Sequence, residues 1–363
     1  MPPFLFGYDF YLLWSAGALL HEGQNPYDLE TFRHQLEAVG WPSTEFAKKF
    51  PHPVNTLWLY WMFALLPCKL SLALWSFASL VTIVACSSAL IGALAMRGGS
   101  SKGLMLFSAA LFPPTLGTLI WGQMSGVLLL GVTLFAVSWR NARYFLAGLS
   151  LSLVTLKPHL FVPFMLVIFI SELRLRRAMC LLGCAMGVAL QVGIACVVAP
   201  DCLAWYAQSL HGHLDESLQI CGATLGQLVE CSSSIRVVRP ALVVVGSLLS
   251  LWLVGRRGYS LETLLGVVLP ISVCVAPYSW MHSFVVLIPS VLLLIERYGA
   301  RVGESTLRYV IVALAAGSLP LVVLPEYQAV WVLFSWSICL SAVFLTGPAE
   351  GRLPGREMRD PAS

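Results

Sequence analysis

From Ser71 onward the chain alternates between apolar runs about as long as a bilayer is thick and short loops that hold most of its charges. A helix needs roughly 20 apolar residues to cross the hydrocarbon core. In lipid every backbone polar group must be satisfied inside the chain, so runs of this kind build helices. They fall near 71–96, 103–120, 124–139, 178–199, 237–254, 261–277, 282–296, 308–324 and 329–346. The stretch 144–171 is too short for two full spans and is interrupted by Lys157-Pro158-His159. It reads as a hairpin of two short helices that turns inside or near the far half of the membrane. The spacing therefore predicts an all-α, polytopic integral membrane protein with about ten spans. Only 11% of the 363 residues are charged and 58% are apolar, against ~25% charged in soluble domains. A cytosolic enzyme or a nucleic-acid binder is excluded.

Residues 1–70 are mixed in character and read as an outer-face interfacial segment, followed by a transmembrane domain over 71–346 and a cytoplasmic tail over 347–363. Cytoplasmic loops collect Lys and Arg. Alternating the runs between two faces puts fifteen of the 22 basic residues on one face, which is then the cytoplasmic one. All seven histidines fall on the other face, with the two long segments 1–70 and 200–235. The working surface is therefore expected outside, built from loops and interfacial helices. No Asn-x-Ser/Thr sequon occurs on those loops, which favours a bacterial plasma membrane with an external or periplasmic active face. With 1–70 outside and no helix before it, export would fall to the next span acting as a signal anchor, unless a first helix precedes Met1.

Six of the ten cysteines lie inside apolar runs and read as small core residues. Cys202, Cys221 and Cys231 share one polar stretch and can form a single bridge if it faces an oxidising compartment. The chain has no Cys-x-x-Cys, P-loop or Gly-x-Gly-x-x-Gly pattern, and Met1–Gly7 has no basic stretch of the kind that opens a cleaved signal.

Several polar residues stand where chemistry would need them. Asp9 heads an aromatic run, Tyr8 to Leu20, that would lie at the membrane interface. It can serve as a general base where a lipid-borne substrate surfaces, or simply as a helix N-cap. Lys157 lies in the middle of an apolar hairpin, where a charge marks a partner or a wet cavity. Beside Pro158 it can bind a phosphate with free helix-end groups, or it can snorkel to the interface. His282, at the outer mouth of two runs, can donate to a phosphate or share a proton, and Arg236 and Arg239 can clamp one. Tyr11, Gln123 and Trp280 are candidate sugar or acceptor contacts. His211 and His213 lack a third ligand at metal spacing; Asp9 with Glu22 or Asp28 could hold a divalent ion, although nothing requires one.

Taken in order, these motifs resemble glycosyltransferase family 87, polyprenyl-phosphate-mannose-dependent enzymes of the C-type glycosyltransferase superfamily. The resemblance runs through Asp9 to Gly17, Asn25-Pro26-Tyr27-Asp28 and Phe50-Pro51-His52-Pro53, which stands where the family more usually has Tyr-Pro-Pro. It continues through Trp121-Gly122-Gln123, Ala147-Gly148 with Leu156-Lys157-Pro158, and Pro277 to His282. It implies a C-type helical bundle and an inverting transfer of a hexosyl group, mannosyl by expectation, from a polyprenyl-phosphate sugar to a lipid or glycan acceptor. Asp9 would be the base, with Lys157 and His282 at the donor phosphate and Arg236 and Arg239 a looser match. No cofactor is implied. A transporter or flippase of lipid-linked sugars is the alternative, disfavoured because the chain has no internal repeat; a non-catalytic envelope scaffold is a third reading.

Overall fold

The computed structural model describes residues 6–41, 50, 52–94, 102–213, 224, 225, 227 and 238–302, with isolated positions beyond. All regular structure among them is helical. The polar N-terminal segment forms α1 (Tyr8–His21), α2 (Leu29–Ala38) and α3 (Leu57–Phe63). Asp28 starts α2 by accepting a hydrogen bond from the Thr31 amide at 2.9 Å, an N-cap. The apolar part then supplies α4 (Cys68–Ala93), α5 (Lys102–Ala110), α6 (Pro113–Trp121), α7 (Ser125–Arg140) and α8 (Tyr144–Leu151). It continues with α9 (Val162–Arg174), α10 (Ala178–Val198), α11 (Cys202–His213), α12 (Val238–Arg257), α13 (Leu261–Cys274) and α14 (Ile288–Val302).

Three helices, α4, α10 and α12, are long and apolar enough to cross a membrane, and α5 with α6 makes a fourth if that bent pair counts as one span. Only 28–33% of the residues in their most apolar windows are buried. Leu74, Phe77, Leu190, Val197 and Leu248 stand exposed on them, as lipid-facing side chains do. The expected ten spans are not reached among the described residues. Pro113 and Pro114 bend the 103–120 run by 44°. The 261–277 run contains a five-residue π turn at Leu264–Val268 followed by Pro270, and the 282–296 run opens on a 3-10 turn, Met281–Leu287. The expected spans 308–324 and 329–346 lie outside the described residues.

In 144–171 the expected interruption is present: two 3-10 turns, Ser152–Leu156 and Pro158–Leu160, flank Lys157. Its two arms take different neighbours, α8 packing between α7 and α10, and α9 on α12 and α13. The α8–α10 crossing is close because it is lined with glycine. A Cβ on Gly148 would collide with the Cys180 carbonyl, and one on Gly183 with the Phe145 carbonyl, the small-residue packing that lets helix backbones approach in membranes.

The helices are laid out with unlike ends. Leu72, in the first turns of α4, packs beside Gly7 and Gly122, and α7 starts just after Gln123. At their far ends Arg140 donates to the Gly92 carbonyl at 3.0 Å and to that of Ala93, closing the C-terminus of α4 with a cation. Arg177 lies over the Tyr144 ring at 4.7 Å in the same region, and Trp139 meets Tyr259 edge-on. One end of the bundle is thus basic, and the other gathers the residues described next.

Candidate functional site

Gly7 adopts the left-handed conformation, φ 78°, and its amide donates to the Ile120 carbonyl at 2.7 Å, which fastens the start of α1 to the end of α6. Asp9 therefore emerges in the first turn of α1, where the helix dipole favours an anion. At the end of α6, Gly122 is again left-handed, φ 69°, and the Gln123 amide returns to the Thr118 carbonyl at 3.0 Å. This is a glycine-terminated helix end. A Cβ at Gly122 would stand 2.6 Å from that of Phe10. The missing side chain is what brings Gln123 against α1.

The outcome is a continuous polar chain through three separate segments. Gln123 Nε2 donates to Asp9 Oδ2 at 2.5 Å, and Lys157 Nζ donates to Gln123 Oε1 at 2.8 Å. Lys157 is 8% exposed and Gln123 7%, while Asp9 is partly exposed, so the cation is held inside the protein and the anion nearer its surface, with one amide between them. Burial pushes the Asp9 carboxyl up to about 6, opposed by the Gln123 hydrogen bond and by the Lys157 charge. At pH 7 the ionised form of Asp9 predominates.

A second polar network carries the Lys157 turn. Asn55 Nδ2 donates to Thr155 Oγ1 and to Gln191 Oε1, each at 3.0 Å, and Gln191 Nε2 donates to Ser152 Oγ at 3.0 Å. It joins the Val54–Thr56 turn, the Ser152–Leu156 turn and α10, two residues short of Lys157. Buried amides left unpaired are expensive, so this network fixes the position of the turn.

His52, His159 and His282 are within electrostatic reach of the ammonium. Burial first, then Lys157, depress His52 well below its ordinary range, which leaves it neutral. His159 stacks on Tyr278 with ring centroids 3.9 Å apart, which joins the Lys157 turn to the Pro277–His282 segment. His282 is 4% exposed, and its Nε2 has no hydrogen-bond partner. Thr118 Oγ1 donates to the His282 carbonyl at 3.0 Å and ties it to α6. Tyr8, beside Asp9, meets Trp41 at 4.7 Å and Trp121 at 5.7 Å, and Trp41 Nε1 donates to the Tyr8 carbonyl. A partly buried carboxylate, a buried cation and an unpaired imidazole can together accept a proton and receive an anion.

Of the residues singled out in the sequence, Asp9, Gln123 and Lys157 come into hydrogen-bonded contact, and His282 joins them through Thr118 of α6. Tyr11 is buried, two residues along α1 from Asp9, with Cys68 in its electrostatic surroundings. Trp280 is partly buried in the extended residue before the Met281–Leu287 turn. Arg239 is buried in the first turn of α12, and the Asp9–Gln123–Lys157 chain is built without it. Arg236, Cys221 and Cys231 lie outside the described residues, and of the His211 and His213 side chains nothing is described. Cys202 has its thiol 3.7 Å from that of Cys196. Thus Cys196, expected as a mere core residue, is the neighbour of Cys202.

The possible ion at Asp9 with Glu22 or Asp28 does not fit. Asp9 and Glu22 are thirteen positions apart along α1 and its C-cap, about 20 Å at 1.5 Å per residue, and the Asp28 carboxylate is engaged as the cap of α2. Among the described residues no group of three or more His, Cys, Asp or Glu is arranged to hold a metal. Sequence reasoning missed His52, His159, Tyr278 and Asn55 as site residues. The signal present was the confinement of every histidine to one face of the charge pattern.

A family model matches the chain over residues 50–283: it is that of glycosyltransferase family 87. The matched range contains Gln123, Lys157 and His282 and begins after Asp9. No curated protein and no solved structure matches.

Proposed function

The chain belongs to glycosyltransferase family 87, and from that premise we propose that it moves a hexosyl group, mannosyl by expectation, from a polyprenyl-phosphate sugar to a lipid or glycan acceptor. Transfer takes place at the external or periplasmic face of a bacterial plasma membrane and inverts the anomeric centre. The shorter helices and the C-terminal apolar runs complete about ten spans. Residues 1–70 and the 200–235 loop form the external face, and 347–363 is a cytoplasmic tail.

The observation that supports this reading is the Asp9–Gln123–Lys157 chain. Inverting transfer needs a base for the acceptor hydroxyl and a cation for the departing phosphate, both sheltered from water. Asp9 has one oxygen engaged by Gln123; Oδ1 is the one that takes the proton. As the acceptor oxygen bonds to the anomeric carbon, the carbon–oxygen bond to phosphate breaks and polyprenyl phosphate leaves with the electron pair. Lys157 Nζ and His282 Nε2 meet that charge; pre-placed donors of this kind are often the largest catalytic contribution. A carboxyl raised to about 6 is a stronger base than an ordinary one yet ionised at neutral pH, the match that general base catalysis favours. Arg236 and Arg239 assist at the lipid phosphate, and Tyr11 and Trp280 lie toward the sugar or acceptor.

The test is transfer of radiolabelled mannose from polyprenyl-phosphate-mannose into lipid or glycan fractions by membranes holding matched amounts of the wild type or Asp9→Asn. The expected result is transfer by the wild type and a loss of about 10²-fold or more in the variant. Equal transfer in both would remove Asp9 as base, and donor translocation without transfer would establish the flippase.

A further inference from the structure

Gln123 stands out because both ends of its amide are used. Its nitrogen donates to Asp9 and its oxygen accepts from Lys157, so the amide can sit only one way round between an anion and a cation. A partly buried carboxylate and a buried ammonium this near each other would otherwise close into a direct ion pair, a stronger arrangement away from bulk water than either group alone. In such a pair the carboxylate would be too weak a base and the ammonium's protons would be spent. The surroundings are arranged to hold the amide in place. Gly122 allows the close approach to α1, the Gln123 backbone amide is anchored on Thr118, and the side chain is 7% exposed.

We infer that Gln123 is a positioning residue, a spacer that holds Asp9 and Lys157 one amide apart so that each keeps a free face for its own substrate group. This rests on the roles given to Asp9 and Lys157 above and replaces the expectation that Gln123 touches sugar or acceptor. Asp9 is faced by Lys157 across the amide and by Tyr8 on its own helix; Lys157 is faced by Asp9, His52, His159 and His282.

Two substitutions separate spacing from bulk. Gln123→Met keeps the length of the side chain and loses both hydrogen bonds. Lys157 stays apart while the Asp9 anion loses its donor, so the Asp9 titration moves upward by about one pH unit. Gln123→Ala removes the spacer, the flexible Lys157 stem reaches the carboxylate, and the Asp9 titration moves downward, below its wild-type value. The readout is the protonated-carboxyl band in infrared titrations of the full chain in detergent, isolated by subtracting the spectrum of Asp9→Asn; the wild-type midpoint is expected at about 6. This measurement reads Asp9 without any sugar donor, so it decides the role of Gln123 even if the polyprenyl donor is wrong. Where transfer is measured as well, both variants lose about tenfold or more. Shifts of opposite sign bear the spacer out. An unmoved midpoint in both variants, or a shift of the same sign in both, overturns it.

Discussion

In the proposed mechanism Asp9 accepts a proton only when ionised, and its carboxyl is raised to about 6, so below that value the base would be lost. The expected profile of kcat/KM has an acid limb near 6, measured as initial transfer rate against pH at low donor concentration. Lys157→Gln removes the charge that opposes the rise in Asp9, so the acid limb of any residual activity moves upward. The two groups were legible in the sequence for a simple reason: a lone charge in an apolar stretch is expensive enough to need a purpose. Gln123, neutral and 114 positions from Asp9, gave no such signal. Its partners come from two other segments, and only the fold brings them to it. His52 and His159 were hidden similarly, since imidazoles packed on aromatic rings look like any interfacial histidine in sequence.

At the scale of elements the glycines of the α8–α10 crossing carry the stronger expectation. Gly148→Val places a Cβ against the Cys180 carbonyl, so the two helices must part and the contacts around Ala147, Leu151 and Cys184 loosen. Overpacking of this kind costs about 1–3 kcal/mol, read as a lower unfolding midpoint in detergent. Gly193, on the same helix α10, has nothing within 4 Å of a built Cβ. Gly193→Ala is therefore expected to leave the midpoint unchanged or raise it slightly, since alanine is the better helix former. The interruption at Lys157 was readable because proline follows a charge there, whereas the breaks inside the later apolar runs were not. Hydropathy counts apolar residues and is blind to the π turn at Leu264–Val268 and to the 3-10 geometry of Met281–Leu287. Both stretches are continuous apolar runs in sequence; in the fold they are shorter helices at 261–274 and 281–296.

Across the whole molecule the site and the basic residues occupy opposite ends of the same helices. Gln191, which supports the Lys157 turn, is thirteen residues along α10 from Ala178, about 20 Å. The Arg174–Arg177 cluster lies just before that helix begins, and Asp201 just after it ends. The α10 helix is apolar over 21 residues, enough to cross the hydrocarbon core, so Arg174 and Asp201 should lie on opposite sides of the membrane. In the proposed orientation the excess of basic residues would put the Arg174 side in the cytoplasm and the Asp9 site outside, where polyprenyl-linked sugars would have to be presented. Both positions are exposed, which makes the orientation measurable. Asp201→Cys is expected to react with a membrane-impermeant maleimide on intact cells, above the wild-type background of native cysteines. Arg174→Cys is expected to react only after the membrane is opened. The reverse pattern would turn the site toward the cytoplasm and require a donor presented on that face. Labelling of both on intact cells would mean that α10 does not cross at all; the apolar faces of α4, α10 and α12 would then need another cover, and the charge asymmetry would cease to be a guide to where this enzyme works.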